Sequence, residues 1–187
     1  MPQRRFYTNI DINSVTTPFL NRAADRDPSD PALLWPFVDQ YAGTELTDIL
    51  FDVFCQYAAV DTDFWTTYRG KYEQKEENGV PVDYTELYRG ICAFRDHGID
   101  PYAVWLARAK ERGLTPWLSV RMNDCHCPDD EASFLRSDFF YEAREKGWMV
   151  GGAYGYYRHC FDYAVPEVRR RMLGLIGDIL GGYDLGG

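Results

Sequence analysis

Hydrophobic positions along the chain change spacing as it proceeds. The sets Ile10, Ile12, then Ile49, Phe51, Val53, then Leu118, Val120, Met122 alternate with period two, as strands do. Between them lie runs of helical spacing, each closed at both ends by the same punctuation: an acidic or turn residue, Pro, the apolar run, then Gly. Proline suits the first helical position because its missing N–H would be unpaired there, and Gly suits the left-handed residue past the last turn. Asp30-Pro31 opens a helix through Leu33, Leu34, Phe37, Val38 and Tyr41 to Gly43, with Pro36 expected to kink its first turns. Asp100-Pro101 opens a second, through Trp105, Leu106 and Ala109 to Gly113. Pro166 opens a third, with Val168, Met172, Leu175, Ile176 and Ile179 on one face and Gly181-Gly182 at its end.

Strands are expected over 5–13, 48–55 and 115–121, with a fourth beginning at Tyr183-Asp-Leu185. Strand, helix, strand in strict alternation predicts a parallel α/β fold. Two long insertions, 57–99 and 122–163, follow the carboxyl ends of the second and third strands, where the functional loops of a barrel grow. The resulting expectation is an α/β chain forming a partial (β/α)₈ (TIM) barrel in one domain over 1–187: about three βα units, the start of strand four, and long βα-loop insertions. The insertions contain helices of their own, for example 84–97. Their rings, among them Tyr57, Phe64, Trp65, Tyr68 and Tyr72, then Trp148, Tyr154, Tyr156 and Tyr157, suit either a sugar-binding rim or packing of the insertions onto the body.

Alternation leaves polar residues on the strand faces opposite the apolar sets: Asp11 and Asn13, Asp52 and Gln56, Arg121 and Asn123. Buried carboxylates and guanidinium groups are costly unless paired, so Asp11, Asp52 and Arg121 form either a satisfied ion-pair network or a binding site. The run Arg121-Met-Asn-Asp-Cys-His126 adds Asp124 and His126 at the end of the third strand. These eight residues, Asp11, Asn13, Asp52, Gln56, Arg121, Asn123, Asp124 and His126, are the candidate ligand contacts, offering donors and acceptors to sugar hydroxyls. Asp124, Cys125, His126 and Cys127 are too close in sequence for an ordinary zinc site, so no metal and no other cofactor is expected. Phosphate loops, nucleophile elbows and H-E-x-x-H patterns do not occur.

A formal charge of −9 argues against nucleic acid as the main partner, and the cluster Arg169-Arg170-Arg171 falls on a helix as its solvated face. No apolar stretch reaches membrane-spanning length and no apolar core follows the basic Arg4-Arg5, so neither a membrane nor secretion is expected. Five irregularly spaced cysteines form no disulfide framework, which suits a reducing cytoplasm.

Two stretches carry a family resemblance. The segment from Asp100-Pro-Tyr-Ala-Val-Trp-Leu-Ala-Arg-Ala-Lys-Glu-Arg-Gly through Leu114-Thr-Pro-Trp-Leu-Ser-Val-Arg-Met-Asn-Asp-Cys-His126 resembles the second helix and third strand of bacterial glycosyl-hydrolase-like (family 10-like) barrels. The segment from Phe161-Asp-Tyr-Ala-Val-Pro-Glu-Val-Arg169 to Tyr183-Asp-Leu185 resembles the helix before their fourth strand. Two departures stand out: Val165 occupies a position where a capping side chain is expected, and Gly186-Gly187 stands where that family continues into Asp-Gly and an acidic strand. The resemblance implies a carbohydrate partner and glycosidic-bond hydrolysis. A glycosidase needs two carboxyl groups across the scissile bond, and no pair within 1–187 is assigned that role, so they are expected beyond residue 187. The alternative is a non-catalytic carbohydrate-binding or self-assembling protein, a homodimer through exposed sheet edges. A metal-dependent sugar isomerase or lyase would need His and acidic ligands at several strand ends, and only His126 is so placed.

Overall fold

The structure is a computed structural model that describes residues 4–77, 80–81, 83–123, 136–152 and 155–186. Its centre is a three-stranded parallel sheet in sequential order: β1 (Tyr7–Ile10), β2 (Asp48–Asp52) and β3 (Thr115–Ser119). Tyr7 pairs with Asp48 and Ile10 with Phe51, while Asp48 pairs with Thr115 and Asp52 with Ser119. Parallel neighbours require long crossovers. The first carries α1 (Thr17–Ala24) and α2 (Trp35–Asp39); the second carries α3 (Tyr68–Glu73), α4 (Thr85–Asp96) and α5 (Pro101–Glu111). After β3 come α6 (Asp138–Glu145) and α7 (Pro166–Gly182).

The helices start where local chemistry demands. The Asp30 carboxylate accepts from Ala32 N at 2.9 Å and the Asp100 carboxylate from Tyr102 N at 2.9 Å, each satisfying an orphan donor ahead of a proline. Pro36 resolves the first run into a 3₁₀ turn, Pro31–Leu34, followed by α2, because its ring cannot share a continuous helical ladder. Val165 makes no side-chain cap for α7.

One face of the sheet is thickly covered. Phe51 of β2 lies under Trp105 of α5, ring centroids 5.6 Å apart, and Trp105 stacks on Phe37 of α2 at 4.5 Å; Phe19 of α1 meets Phe37 at 4.8 Å. The Trp105 indole N–H is satisfied by Leu34 O at 3.0 Å. Outside this layer α4 crosses α1 so closely that Gly90 faces the Leu20–Asn21 backbone. The opposite face holds Tyr7, Asn9, Leu50, Trp117 and Ser119, none fully buried, together with the buried Asp48 and Asp52.

The partial-barrel expectation is overturned. Among the described residues the sheet has three strands and is open: β1 and β3 are both edges, and residues 183–186 form no strand, making a backbone bond beside β3, Gly186 N to Pro116 O at 2.8 Å. Barrel closure demands a tilted, staggered and continuous ladder, which three strands do not supply. Repeated βα units with loops at the strands' carboxyl ends serve open α/β sheets equally well, so the repeat alone could not distinguish the two.

The strands are also shorter than their alternation suggested. After Ile10 the chain winds into a π-helical turn, Ile12–Thr16, and after Asp52 it folds into a buried hairpin pairing Phe54 with Ala58 and Cys55 with Tyr57. Gln56 is the apex of that hairpin. At φ 63° it is the only non-glycine residue in the left-handed region among those described, held by Trp65 Nε1 donating to its carbonyl at 2.9 Å.

Candidate ligand-binding site

The carboxyl ends of β1, β2 and β3 lie side by side, and each delivers one charged residue to the same place. Asp11 is the first residue past β1, Asp52 the last of β2, and Arg121 stands two past β3. Arg121 donates from Nη2 to Asp11 Oδ2, and its Nε lies 2.8 Å from Asp52 Oδ2. The guanidinium thus bridges two carboxylates from two strands. Asp52 is fully buried beneath it, whereas Asp11 and Arg121 each keep about a third of their side-chain surface in water, 30% and 32%.

Their contacts keep Asp11 and Arg121 ionised. Burial disfavours the Asp11 carboxylate, but the Ser14 hydroxyl and amide, 2.5 and 2.7 Å from Oδ1, outweigh it together with Arg121 and leave its pKa below the usual carboxylate value. Burial likewise opposes the Arg121 charge, but Asp52 and Asp11 overcome it and push the guanidinium pKa above its ordinary value. The Asp52 side chain also accepts from Phe54 N at 3.3 Å, which ties the ion pair to the turn after β2.

The remaining candidates divide. Asn13 lies two residues beyond Asp11, where it accepts from the Tyr68 hydroxyl at 3.1 Å and donates to Cys55 Sγ at 3.2 Å. Burial, followed by neighbouring tyrosines, raises the Tyr68 pKa well above its ordinary value, so the hydroxyl keeps the proton it donates. Gln56 sits apart as the hairpin apex, its side-chain oxygen bound by Ser137 Oγ at 3.1 Å. Asn123 accepts from Phe161 N at 2.8 Å and so fastens the chain after β3 to the segment before α7. Gln56 and Asn123 are therefore anchors of backbone. Asp124 and His126 lie outside the described residues.

Sequence alternation sets Trp117 and Ser119 on the same strand face as Arg121, but it did not bring in Arg5, Tyr7, Asn9, Asp48 and Leu50, which continue that sheet face. Ser119 Oγ donates to Asn9 Oδ1 at 2.8 Å, spanning β2. Toward the amino ends of the strands, Asp48 accepts from Arg5 Nε at 3.0 Å, Trp117 Nε1 at 2.8 Å and Thr47 Oγ1 at 2.6 Å, and the Arg5 guanidinium lies 5.6 Å from the Trp117 ring. Arg5, Tyr7, Asp48, Leu50 and Trp117 line a hollow of about 220 Å³. The i, i+2, i+4 series Asp48, Leu50, Asp52 was the available signal for this face.

Many of the insertion rings are core. Tyr57, Trp65 and Tyr68 are buried, with Trp65 edge-on to Phe54 and Phe139 at 4.8 and 5.0 Å. Tyr157 is exposed, as is Phe64, whose ring lies against Gly174 of α7. Of the basic cluster, Arg171 pairs with Glu142 at 3.0 Å, Arg169 donates from Nη1 to Tyr163 O at 2.6 Å and Ala164 O at 2.8 Å, and Arg170 is exposed.

Among the described residues no three potential metal ligands converge, and no helix is long and apolar enough to cross a membrane. No family model matches the chain, and no curated protein matches it.

Proposed function

We propose that this protein recognises carbohydrate at the carboxyl ends of its three strands, with Asp11, Arg121 and Asp52 as the polar centre and the uncovered sheet face as the adjoining platform. The observation that carries this reading is the ion-paired trio at three neighbouring strand ends, partly open to water. The carboxyl ends of parallel strands are the end at which α/β folds place their ligands. Sugar hydroxyls donate and accept together, which suits paired carboxylates and a guanidinium flanked by the Asn9 amide and Ser119 hydroxyl. Trp117 and Tyr7, the latter 71% exposed, offer rings to the apolar faces of sugars on the same side of the sheet. Tyr7 and Asp11 are four residues apart on one strand line, about 13 Å, so a ligand touching both is extended.

The resemblance to glycoside hydrolases supports the same substrate class. Asp11 and Asp52 act here as positioning groups. A general acid needs a raised pKa and a second carboxyl across the bond, whereas Asp11 is shifted down and shares its guanidinium with Asp52.

Affinity electrophoresis through a panel of soluble glycans, with reducing-sugar release followed in parallel, tests the proposal. Retardation by at least one glycan is expected, weakened by Tyr7→Ala and Ser119→Ala, without sugar release that depends on Asp11. The proposal fails if no glycan retards the protein, or if both variants are retarded as strongly as the wild type.

A further inference from the structure

The hollow on the uncovered face lies toward the amino ends of the strands, away from Asp11, Asp52 and Arg121, and its chemistry is different. We propose that it binds one planar aromatic group of two fused rings, with Trp117, Tyr7 and Leu50 as its contact surfaces; the inference stands on the hollow alone and holds with or without a sugar at the strand ends. Arg5, Tyr7, Asp48, Leu50 and Trp117 enclose about 220 Å³ there. A cavity of about 150 Å³ takes a benzene ring, so this volume accommodates a ring with a second fused to it.

The aromatic wall is held in place before any ligand arrives. Asp48, its side chain 3% exposed, accepts from Trp117 Nε1 at 2.8 Å and so fixes the indole by its edge. The same carboxylate binds Arg5 through Nε at 3.0 Å and through Nη2, which keeps the guanidinium 5.6 Å from the Trp117 ring. Thr47 Oγ1 is the fourth donor, at 2.6 Å. A wall fixed in this way loses little freedom on binding, and that loss is a main cost of association. Tyr7 stands on the opposite edge strand, 71% exposed, and Leu50 lies on the central strand between them.

These bonds also decide what fits. With four donors on two oxygens the Asp48 carboxylate has no acceptor site left, and the Trp117 N–H is spent on it, so the buried polar lining has little to offer an incoming hydroxyl. The remaining Arg5 N–H groups and the Tyr7 hydroxyl belong to side chains more than half in water. A sugar inserted among these side chains gives up water from its hydroxyls without return, whereas one stacked on the outside of a single ring keeps that water. An aromatic group has no such loss: it meets Trp117 and Tyr7 stacked or edge-on and lies beside the Arg5 cation. A protein partner fits less well, because three strands of about five residues make a face of roughly 14 by 17 Å, far short of the ~800 Å² per partner of a stable interface.

Titration calorimetry with 2-naphthol tests this, against decahydro-2-naphthol, which has the same carbon skeleton and hydroxyl but is puckered and has no π system. Saturable binding of one equivalent of 2-naphthol is expected, about fivefold or more tighter than its saturated counterpart. Trp117→Ala should weaken it about tenfold or more and Tyr7→Ala about threefold or more, as removal of a stacked ring does. Trp35→Ala, which removes an exposed ring of α2 that packs on Arg108, should leave it unchanged. Circular dichroism checks the fold of each variant; Tyr7 is mostly in water, so Tyr7→Ala decides the matter even where Trp117→Ala unfolds. The inference is overturned if 2-naphthol shows no saturable binding or if the saturated compound binds as tightly. It is equally overturned if Tyr7→Ala leaves the affinity unchanged, or if Trp35→Ala lowers it as much as Tyr7→Ala.

Discussion

Replacing Gly90 by Ala sets two terms of opposite sign against each other. In the middle of α4, Ala is the better residue by about 1 kcal/mol, because Gly forfeits more backbone entropy on folding. A methyl group at position 90, however, meets the α1 backbone: Asn21 N and Leu20 C at 2.4 Å and Leu20 O at 2.6 Å. Unstrained carbon contacts sit near 3.5 Å or beyond, so α1 and α4 must separate by roughly 1 Å. Backbone atoms cannot rotate away as a side-chain tip can. The separation lifts Leu20, Ala23 and Ala24 from the core and disturbs the 2.7 Å bond from Gly90 N to Asn21 Oδ1.

Overpacking of this kind costs about 1–3 kcal/mol, and more where the obstacle is main chain. The clash outweighs the propensity gain, and Gly90→Ala is expected to destabilise by about 2 kcal/mol, lowering Tm by about 4–8 °C for a chain of this size. Urea unfolding followed by circular dichroism, with unchanged m value, measures it. Gly177→Ala in α7 is the built-in control: nothing lies within 4 Å of its added methyl, so it should stabilise by up to about 1 kcal/mol. If Gly90→Ala is neutral or stabilising while Gly177→Ala behaves as stated, the close crossing of α1 and α4 is wrong.

Two further outcomes test the charged groups. Arg121→Met leaves Asp52 buried without its guanidinium and should cost ~3 kcal/mol, whereas adding Asp52→Asn should recover at least half of that; a double-mutant cycle with no coupling would remove the ion pair from the account. Asp48 has its pKa held down to about 2, chiefly by Arg5, then against burial by Thr47 and Trp117. Its folded-state pKa being depressed, the stabilisation is present above the ordinary value of 3.8 and is lost as pH falls toward about 2. The stability gap between wild type and Asp48→Asn should therefore narrow over that interval, and a gap independent of pH would contradict the pairing.

What the sequence determined by itself was whatever neighbouring residues decide among themselves. Asp30-Pro31 and Asp100-Pro101 start helices because the carboxylate reaches an amide only two residues on, a bond that needs no distant partner. Alternation placed Asp52 and Arg121 on one side of their strands for the same reason, since side chains of an extended chain point to opposite faces in turn. The number of strands and the openness of the sheet were not legible. Closure depends on pairing between segments far apart in the chain, and the same βα repeat serves an open sheet and a barrel. Tertiary contacts also reassigned individual residues. Gln56 turned into a hairpin apex through Trp65 and Ser137, the latter 81 positions away, and Asn123 into a clasp on Phe161, 38 positions on. Gly90 reads locally as a weak spot in a helix, and only the backbone of α1 lying against it makes the absence of a side chain a requirement.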